Sequence, residues 1–486
     1  MAKSDTSVKK SLLKLFKSTF SGLSECEEVD IKEAFRLPDK KVKVRIKDYP
    51  FQINLFPNSK TLHLYPEPML AGTTPGTDTP PASFILFDPD CYYTQVSGFY
   101  RLKDGDRITL GGSDSQQQAF LNISSETPTR KLSITNDEGG LVFKSHSSNP
   151  QTCVAPLLKD KRVNQIIEWR QEKLRRIRNL YGGPIELLPP AEALTLIQQV
   201  NSILEDEAYR PKNRSGMPGG MIVLPNEAPV VLVGDLHAKP DNLLVALSQN
   251  SYLEALEEKR GFLVILGDAV HPEGDVPLDE MDSSMLMMDL IFKLKVAFPT
   301  QVFYLRGNHD SFSEEIAKGG IPQGLMWAKR LNKVRGKTYR KEMLRFYELL
   351  PYVMHSGKVI ACHAAPPTSP VSVEDIVNIL ENPKLIGEII NNRIKLPNRL
   401  SGYSKGNIKN FRKCLGVPAE TPVIVGHTPM SNDDTLWENV GDIANHHILY
   451  SSDSHWVGVM AQIGDNIYPF RYPTESLIPL INRLSD

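Results

Sequence analysis

The chain has few of the features that mark a secreted, membrane-spanning or nucleic-acid-binding protein. Its 486 residues include five cysteines, which are scattered, odd in number and never arranged as Cys-x-x-Cys. That usage fits neither a disulfide framework nor a thiolate zinc site, and it predicts a reducing, cytoplasmic location. No apolar run approaches the ~20 residues that span a bilayer. The formal net charge of −1 provides no field that would attract nucleic acid.

The length and the changing hydrophobic period indicate more than one domain. Short runs rich in β-branched and aromatic residues, separated by turn residues, come first and predict an all-β region. Helical spacing follows over 160–181 and 191–207, and strands then alternate with helices, as in an α/β layered domain. The expected order is a tail (1–30), an all-β domain (31–156), a helical linker (157–227), an α/β domain (228–475) and a second tail (476–486).

Each of five predicted buried strands in the α/β domain ends in side chains that can bind a metal. Ligands at the carboxyl ends of neighbouring strands meet at one edge of the fold. Glycines precede four of these positions and let the backbone turn tightly there. An oxygen and nitrogen ligand set without thiolate suits Mn²⁺, Fe or Zn²⁺. The six candidate ligands are Asp235, His237, Asp268, Asn308, His363 and His427.

The motifs that hold these residues resemble the calcineurin-like metallophosphoesterases, and most of all the phosphoprotein phosphatase branch with its diadenosine tetraphosphatase relatives. They read GDLHA (234–238), GDAVH (267–271), RGNHD (306–310), CHAAP (362–366) and GHTP (426–429). The resemblance implies a β-sandwich flanked by helices and two divalent metal ions, with Mn²⁺ expected before Fe or Zn²⁺. It implies that Asp268 bridges the two ions. The first ion would be held by Asp235, His237 and Asp268, and the second by Asp268, Asn308, His363 and His427.

The same resemblance suggests the catalytic residues. His309 is not needed as a ligand and fits a general acid that protonates the leaving oxygen. The segment 398–406 (NRLSGYSKG) is similar to the stretch where this branch keeps a phosphate-binding arginine, which implies that role for Arg399. Arg306 is the second candidate for phosphate binding, and a structural ion pair is the alternative role for it.

Three positions depart from the pattern of the branch. Ala238 stands where its members have glycine. His271 and Pro272 stand where they have the aspartate that orients the acid histidine and a phosphate-binding arginine. A carboxylate from Glu273, Asp275 or Asp310 is the expected substitute for the missing aspartate. A pocket changed in this way would be consistent with phosphotyrosine or small-molecule substrates.

The all-β region resembles a forkhead-associated domain, a β-sandwich that binds phosphothreonine peptides through its loops. LKDGDRITLG (102–111) and SSNPQT (147–152) carry the resemblance. It implies weak phosphopeptide binding by Ser113, Thr129 and Arg130, because Gly112 occupies the position of the main arginine. The alternative is a structural β-domain that packs on or positions the catalytic domain.

The sequence therefore predicts a metal-dependent phosphatase that acts on phosphoproteins (Ser/Thr or Tyr), with a β-sandwich module that could bind a phosphopeptide partner. One alternative is a hydrolase of nucleotides or dinucleotide polyphosphates. Another is a phosphopeptide-binding scaffold with a degenerate phosphatase domain, which the complete set of six ligands argues against. Neither nucleic acid nor a transmembrane segment is expected.

Overall fold

The structure is a computed structural model of the chain. It divides into two compact units, which part between Trp169 and Arg170. Each unit is described on its own below. The residues that the structure describes are 27–29, 33–45, 50–55, 60–66, 83–87, 99–110, 132–138, 140–146, 152–157, 161–249, 252–274, 277–364, 366–395, 401–432 and 434–484.

The described residues of the first unit form two sheets. One has the strand order β1-β3-β10-β9-β8, and the other β2-β11-β4-β5-β6-β7. The pairs are antiparallel except for β1 with β3, which is parallel. The strands are β1 (Glu27–Val29), β2 (Phe35–Arg36), β3 (Lys41–Arg45), β4 (Phe51–Leu55), β5 (Lys60–Pro66), β6 (Ser83–Phe87), β7 (Phe99–Lys103), β8 (Arg107–Leu110), β9 (Leu132–Asp137), β10 (Gly140–Ser145) and β11 (Cys153–Pro156).

Alternating burial explains why these segments are strands. In β4 the side chains of Phe51, Ile53 and Leu55 are buried and the two between them are half-buried, as expected when one face of a strand covers a core. Asn136 of β9 donates to the Leu102 carbonyl of β7 at 3.1 Å and so links the two sheets. The prediction of an all-β region is consistent with these elements, and a forkhead-associated fold stays a prediction.

The second unit contains eleven described helices, the first of which begins before the division between the units. They are α1 (Lys161–Leu180), α2 (Pro190–Glu205), α3 (Pro240–Ser248), α4 (Tyr252–Glu257), α5 (Asp282–Ala297), α6 (Gln323–Val334), α7 (Lys337–Leu349), α8 (Val373–Val377), α9 (Pro383–Asn391), α10 (Lys405–Cys414) and α11 (Leu477–Arg483). Between the strands that end at Val233 and begin at Phe262, the chain forms two short helices, α3 and α4. The segment 476–486, expected as a tail, contains α11, whose Leu477 and Ile481 are buried.

Two sheets form the centre of the second unit, with strand orders β12-β16-β17-β18-β20-β19 and β15-β14-β13-β21-β22. Apolar side chains from both sheets, among them Leu232, Val264, Ala361 and Ile424, share one buried cluster, so the sheets pack face to face. The strands are β12 (Met221–Val223), β13 (Val230–Val233), β14 (Phe262–Ile265), β15 (Val302–Tyr304), β16 (Val353–His355), β17 (Ile360–Cys362), β18 (Val423–Val425), β19 (Leu436–Trp437), β20 (His446–Leu449), β21 (Trp456–Ile463) and β22 (Asn466–Pro473).

Helices cover the outer faces of the sheets. Leu385 and Ile389 of α9 and Ile408 and Phe411 of α10 pack with strand residues such as Val423 in a second apolar cluster. The five strands predicted in the α/β region are all present as β13, β14, β15, β17 and β18. Strands β13 to β15 run parallel to one another, as do β17 and β18, because helices and loops make the crossovers between them. Their carboxyl ends therefore meet on one side of the sandwich.

A buried ion cluster fastens the segment after α2 to this unit. The Glu207 carboxylate has no solvent exposure and accepts from Lys295 Nζ at 2.6 Å and from Arg210 Nη1 at 3.0 Å. The remaining donors of the two cations reach backbone carbonyls, including those of Gly219 and Val302. Every charge in the cluster has a partner, which is the condition under which buried ions are tolerated.

None of the described helices combines the length and the apolar character needed to cross a membrane.

Candidate metal centre and active site

Five of the six predicted ligands form two groups at the carboxyl ends of the strands, and all five are buried except the half-buried His427. Asp235, His237 and Asp268 make one group, and Asp268, His363 and His427 make the other. Within each group the potential ligand atoms all lie within 4.8 Å of one another. Asp268 belongs to both, so one carboxylate could contact two ions.

The sixth predicted ligand, Asn308, lies at the second group. Its Oδ1 is 2.9 Å from His363 Nε2, and that nitrogen is 3.3 Å from Asp268 Oδ2. The structure thus brings all six predicted ligands together. The arrangement of the sequence motifs at strand ends is what made this convergence predictable.

Two glycines make room for the carboxylates of Asp268 and Asp235. A Cβ on Gly307 would overlap Asp268 Oδ1, and a Cβ on Gly426 would overlap Asp235 Oδ1. Each glycine precedes a predicted ligand, Asn308 or His427. Their missing side chains let backbone and carboxylate approach closely, which a larger residue would prevent.

Several site residues adopt left-handed backbone conformations that residues other than glycine rarely use. The φ angles are 37° for His237, 58° for Ala238, 50° for Asp268, 69° for His271 and 65° for His427. Such conformations cost free energy and are typical of functional sites. The departure at Ala238 therefore falls on a position whose φ favours glycine.

Backbone hydrogen bonds connect the ligand loops to one another. His309 N–H donates to Asp268 Oδ1 at 2.7 Å, and Gly426 N–H donates to the His363 carbonyl at 2.7 Å. The N–H groups of Leu236 and His237 both donate to the Asp268 carbonyl. The loops after β13, β14, β15, β17 and β18 consequently fix one another's position.

Backbone carbonyls also orient two of the histidines. His237 Nδ1 is 3.1 Å from the His271 carbonyl, and His363 Nδ1 is 2.8 Å from the Leu266 carbonyl. A carbonyl accepts only, so each Nδ1 donates its proton there and each Nε2 is directed at the carboxylates of the site. This is the arrangement in which a histidine binds a metal through Nε2.

The charges of the site fit a cation. Burial raises the pKa of Asp235 to about 7, although His363 works against the rise. Burial also opposes ionisation of Asp268, but the neighbouring His363 and His309 hold its pKa well below the usual range. Asp235 Oδ1 is buried and has no hydrogen-bond partner among the described residues. A divalent cation would satisfy this oxygen and keep both carboxylates ionised.

The Asp310 carboxylate supports the loop around the shared ligand. It accepts from the Tyr304 hydroxyl at 2.8 Å, from Gly307 N–H at 2.7 Å and from Asp268 N–H at 3.3 Å. Burial, together with Asp268, raises the pKa of Asp310 to about 6. Its described contacts do not include the His309 ring, so Asp310 is a structural support in this geometry.

His309 pairs with the residue that replaces the expected aspartate. Its Nδ1 is 3.0 Å from Nδ1 of His271. Burial, with an added effect of His309, holds the pKa of His271 well below its ordinary value, so that ring is neutral. Burial also lowers the pKa of His309, to about 4.

Glu273, another expected substitute for that aspartate, lies beside the first ligand group. Its Oε2 accepts from the Tyr450 hydroxyl at 2.7 Å and is 3.8 Å from His237 Nε2. Its Oε1 pairs with Lys318. Burial opposes ionisation of Glu273, but its electrostatic interaction with His237 and the bonds from Lys318 and Tyr450 lower its pKa to about 2. Asp275, the remaining expected substitute, lies outside the described residues.

The predicted phosphate-binding and phosphopeptide-binding residues are placed only in part. Arg306 Nη1 donates to the Tyr347 carbonyl, and its backbone N–H donates to the Pro351 carbonyl. Its guanidinium also lies close enough to the Tyr352 side chain to oppose the rise that burial causes in the pKa of Tyr352. The other predicted residues of these kinds lie outside the described part of the chain: Arg399, Ser113, Thr129 and Arg130.

Sequence reasoning missed the segment that follows β20. Tyr450 pairs with Asp235 through a short bridge between their backbones and holds Glu273. Ser451 Oγ accepts from Gly234 N–H at 2.8 Å, and Ser451 N–H donates to the Asp235 carbonyl. The polar run after a buried strand (Tyr450–His455, YSSDSH) was the available signal, and it contains no glycine-flanked ligand that would have singled it out.

Comparison with known proteins agrees with this geometry. Residues 228–460 match the model of the calcineurin-like phosphoesterase family. A serine/threonine-protein phosphatase, PP2A-like PPG1 of Candida albicans, is 26% identical over 190 residues, which are 37% of this chain and 36% of that protein. The chain thus spans a little over one third of the length of this relative.

Solved structures with similar parts include two phosphatases. One is a Saccharomyces cerevisiae protein serine/threonine phosphatase similar to human phosphatase PP5, with 14% identity, a TM-score of 0.43, and coverage of 60% of this chain and 91% of the other. The second is a cold-active protein-tyrosine phosphatase of a Shewanella species, with 14% identity, a TM-score of 0.35, and coverage of 52% and 83%.

The family match covers all six strand-end side chains and both ligand groups. It confirms the predicted family at the level of the domain, and such domains bind divalent metal ions. The α/β unit of this chain therefore contains, over residues 228–460, a calcineurin-like metallophosphoesterase domain.

Proposed function

We propose that this domain hydrolyses phosphate monoesters with the help of two divalent ions, and that its substrates are phosphoproteins. The observation that carries the proposal is the sharing of Asp268 by two ligand groups. A carboxylate that contacts two ions sets them close together, as in the two-metal sites of phosphatases.

The residues around Asp268 would form two ion-binding sites. Asp235 and His237 complete one site, and Asn308, His363 and His427 complete the other. When bound, two such ions supply an activated water and positive charge for the phosphate oxygens. Mn²⁺ is the ion we propose, because the oxygen and nitrogen ligands suit a hard or borderline metal.

The chain's own groups would position the ester and assist the departure of the leaving group. His309 lies beside the first ligand group, with ring centroids of His237 and His309 5.1 Å apart. Its Nδ1 is occupied by His271, so Nε2 is the nitrogen left for the substrate. We propose that Nε2 gives a proton to the leaving oxygen. Arg399 is proposed to bind the phosphate, because Arg306 already donates to the Tyr347 carbonyl.

The match to a serine/threonine-protein phosphatase supports phosphoproteins as the substrate class. A degenerate domain would be expected to lose ligands, whereas all six are present and converge. A catalytic role is therefore favoured over a scaffold role.

The test uses the purified full chain with and without Mn²⁺. Phosphoserine, phosphothreonine and phosphotyrosine peptides, p-nitrophenyl phosphate and diadenosine tetraphosphate serve as substrates. We expect EDTA to abolish peptide dephosphorylation and Mn²⁺ to restore it. Turnover of the dinucleotide alone would replace the phosphoprotein proposal. Full activity after exhaustive chelation would refute the metal mechanism.

A further inference from the structure

The side chain of His271 has no role in the proposed function so far, although it lies in the centre of the site. It is fully buried, and its Nδ1 is 3.0 Å from Nδ1 of His309. The backbone of His271 is held from two sides: its N–H donates to Ser284 Oγ at 3.1 Å, and its carbonyl accepts from His237. The ring therefore has a fixed place beside His309.

Two imidazole nitrogens at hydrogen-bond distance need one proton between them. If His271 donated that proton, His309 would have to keep its own proton on Nε2, and transferring it would leave an imidazolate. If His309 donates from Nδ1, its Nε2 can carry a proton, lose it to an oxygen and leave a neutral ring. Only the second arrangement lets His309 act as an acid.

We propose that His271 is a positioning residue that accepts the Nδ1 proton of His309 and thereby aims Nε2 of His309 at the leaving group. The proposal rests on the proposed phosphatase function and deepens it. In the step it serves, the bond from phosphorus to the leaving oxygen breaks, and that oxygen takes the proton from His309 Nε2. His309, an imidazolium before the step, is left as a neutral ring, with its Nδ1 proton still on the bond to His271.

Other groups that could take this role are engaged elsewhere. The Asp310 carboxylate is used by Tyr304 and by two backbone N–H groups. The Glu273 carboxylate is used by Tyr450 and Lys318. Among the described residues, His271 is thus the group with a hydrogen bond to the His309 ring.

A neutral acceptor has a consequence for the substrate. An imidazole orients His309 but gives its protonated form less charge stabilisation than a carboxylate would. Leaving groups that need little protonation, such as phenolates, should therefore suit this site better than alkoxides. Aryl phosphates, phosphotyrosine included, are the favoured substrate class within the proposed function.

The experiment compares p-nitrophenyl phosphate with phenyl phosphate, which are similar in size but differ in how much protonation the leaving oxygen needs. His271→Leu removes the acceptor, and His271→Asn keeps a neutral acceptor near the position of Nδ1. We expect His271→Leu to lower kcat for phenyl phosphate by roughly 10–100-fold, with KM little changed, since misorientation of a catalytic group has effects of that size. The loss of kcat with p-nitrophenyl phosphate should be several-fold smaller. His271→Asn should restore most of the kcat that His271→Leu loses with phenyl phosphate.

A double-mutant cycle separates positioning from a general structural effect. In a His309→Ala background, His271→Leu should no longer change the ratio of the two kcat values. Equal losses on both substrates, or the same change of ratio in both backgrounds, would overturn the proposal.

One further variant and the parent protein keep the outcome decisive. If His271→Leu does not fold, His271→Asp replaces it and should raise the ratio of phenyl to p-nitrophenyl turnover; an unchanged ratio would contradict the positioning role. A parent protein that turns over neither ester would refute the proposed function itself, and this result is distinct from a failure of the cycle.

Discussion

The backbone N–H of His427 donates to Asp235 Oδ2 over 2.9 Å and joins the last predicted ligand to the first across 192 positions of sequence. The side chain of each residue belongs to a different ligand group, and Asp268 belongs to both. The two groups are therefore connected through backbone as well as through the shared carboxylate. A site connected in this way is organised by the fold.

Asp268→Asn should be the most damaging ligand substitution, because this carboxylate would contact both ions. We expect loss of bound metal from both sites and a fall in kcat of at least ~10²-fold, since two-metal stabilisation contributes several kcal/mol. Metal content by mass spectrometry and turnover of p-nitrophenyl phosphate measure this. Asp279→Asn, at an exposed position, is the control and should behave as the parent does. Full activity of the Asp268 variant would contradict the bridging role.

Gly307→Ala should damage the site without changing any ligand. The new Cβ would overlap Asp268 Oδ1, so the carboxylate must turn away from its place in both groups. We expect metal affinity to fall by at least ~10-fold, in line with the effect of disturbing residues that orient ligands. Titration calorimetry with Mn²⁺ is the measurement. Gly387→Ala adds the same methyl group in open space on α9 and should leave affinity unchanged.

Metal affinity should depend on pH through Asp235. Burial raises the pKa of this carboxyl to about 7 in the metal-free protein, so at pH 6 it holds a proton that a cation must displace. Affinity for Mn²⁺ should fall by up to roughly tenfold per pH unit below 7, with release of a proton on binding. Calorimetry in buffers of different ionisation enthalpy detects that proton. Affinity that is constant between pH 5.5 and 7.5 would contradict the prediction.

The raised pKa of Asp235 also determines how this residue's contribution to folding stability changes with pH. The folded metal-free protein binds a proton at Asp235 that the unfolded chain has lost above pH ~4. This contribution to the free energy of unfolding is therefore present at low pH and declines as pH rises through about 7.

Glu207→Gln should destabilise the α/β unit strongly. The change leaves the buried charges of Lys295 and Arg210 without a counter-ion, which typically costs about 3–5 kcal/mol. Glu205→Gln is the matched control, because Glu205 forms a half-exposed pair with Arg345 that is expected to contribute less than ~1 kcal/mol. Urea denaturation followed by tryptophan fluorescence compares the two variants. Equal losses in the free energy of unfolding would show that the buried ion cluster stabilises the unit no more than the half-exposed pair does.

The β-rich unit should be dispensable for turnover of small substrates. All six predicted ligands follow Val233, so a fragment spanning 161–486 should retain p-nitrophenyl phosphatase activity within about threefold of the full chain, a difference of less than ~1 kcal/mol in the barrier. The isolated unit should fold and bind phosphothreonine peptides only weakly, because Gly112 replaces an arginine that would pair with the phosphate. Micromolar binding that is lost in Arg130→Ala would overturn this expectation.

The sequence predicted the ligand set because each ligand follows a buried strand with a readable local pattern. Val230–Val233 are all buried, and so are Phe262–Ile265. An apolar run of this kind with Gly-Asp close behind it can be recognised in the sequence without knowledge of the tertiary structure. The convergence then follows from the parallel register of β13 with β14.

What the sequence did not predict are pairings that only the tertiary fold creates. His271 and His309 are 38 positions apart, and Tyr450 and Glu273 are 177 apart. No local pattern identifies which ring or hydroxyl will face another across loops. Strand β5 likewise lacks a clear local pattern: Thr61 is half-buried but Leu62 to Tyr65 are buried in succession, so the period-two alternation that marks a one-sided strand is absent.

The left-handed backbone at five residues of the site also bears on which substitutions this protein could accept. Each such residue lowers stability by ~1–3 kcal/mol, and four of the five carry imidazole or carboxylate groups that belong to a ligand group or hydrogen-bond to His309. Ala238 carries only a methyl group, at a φ of 58°. A population screened for heat resistance should therefore enrich glycine at position 238, where the strain can be relieved, and should leave the other four positions unaltered.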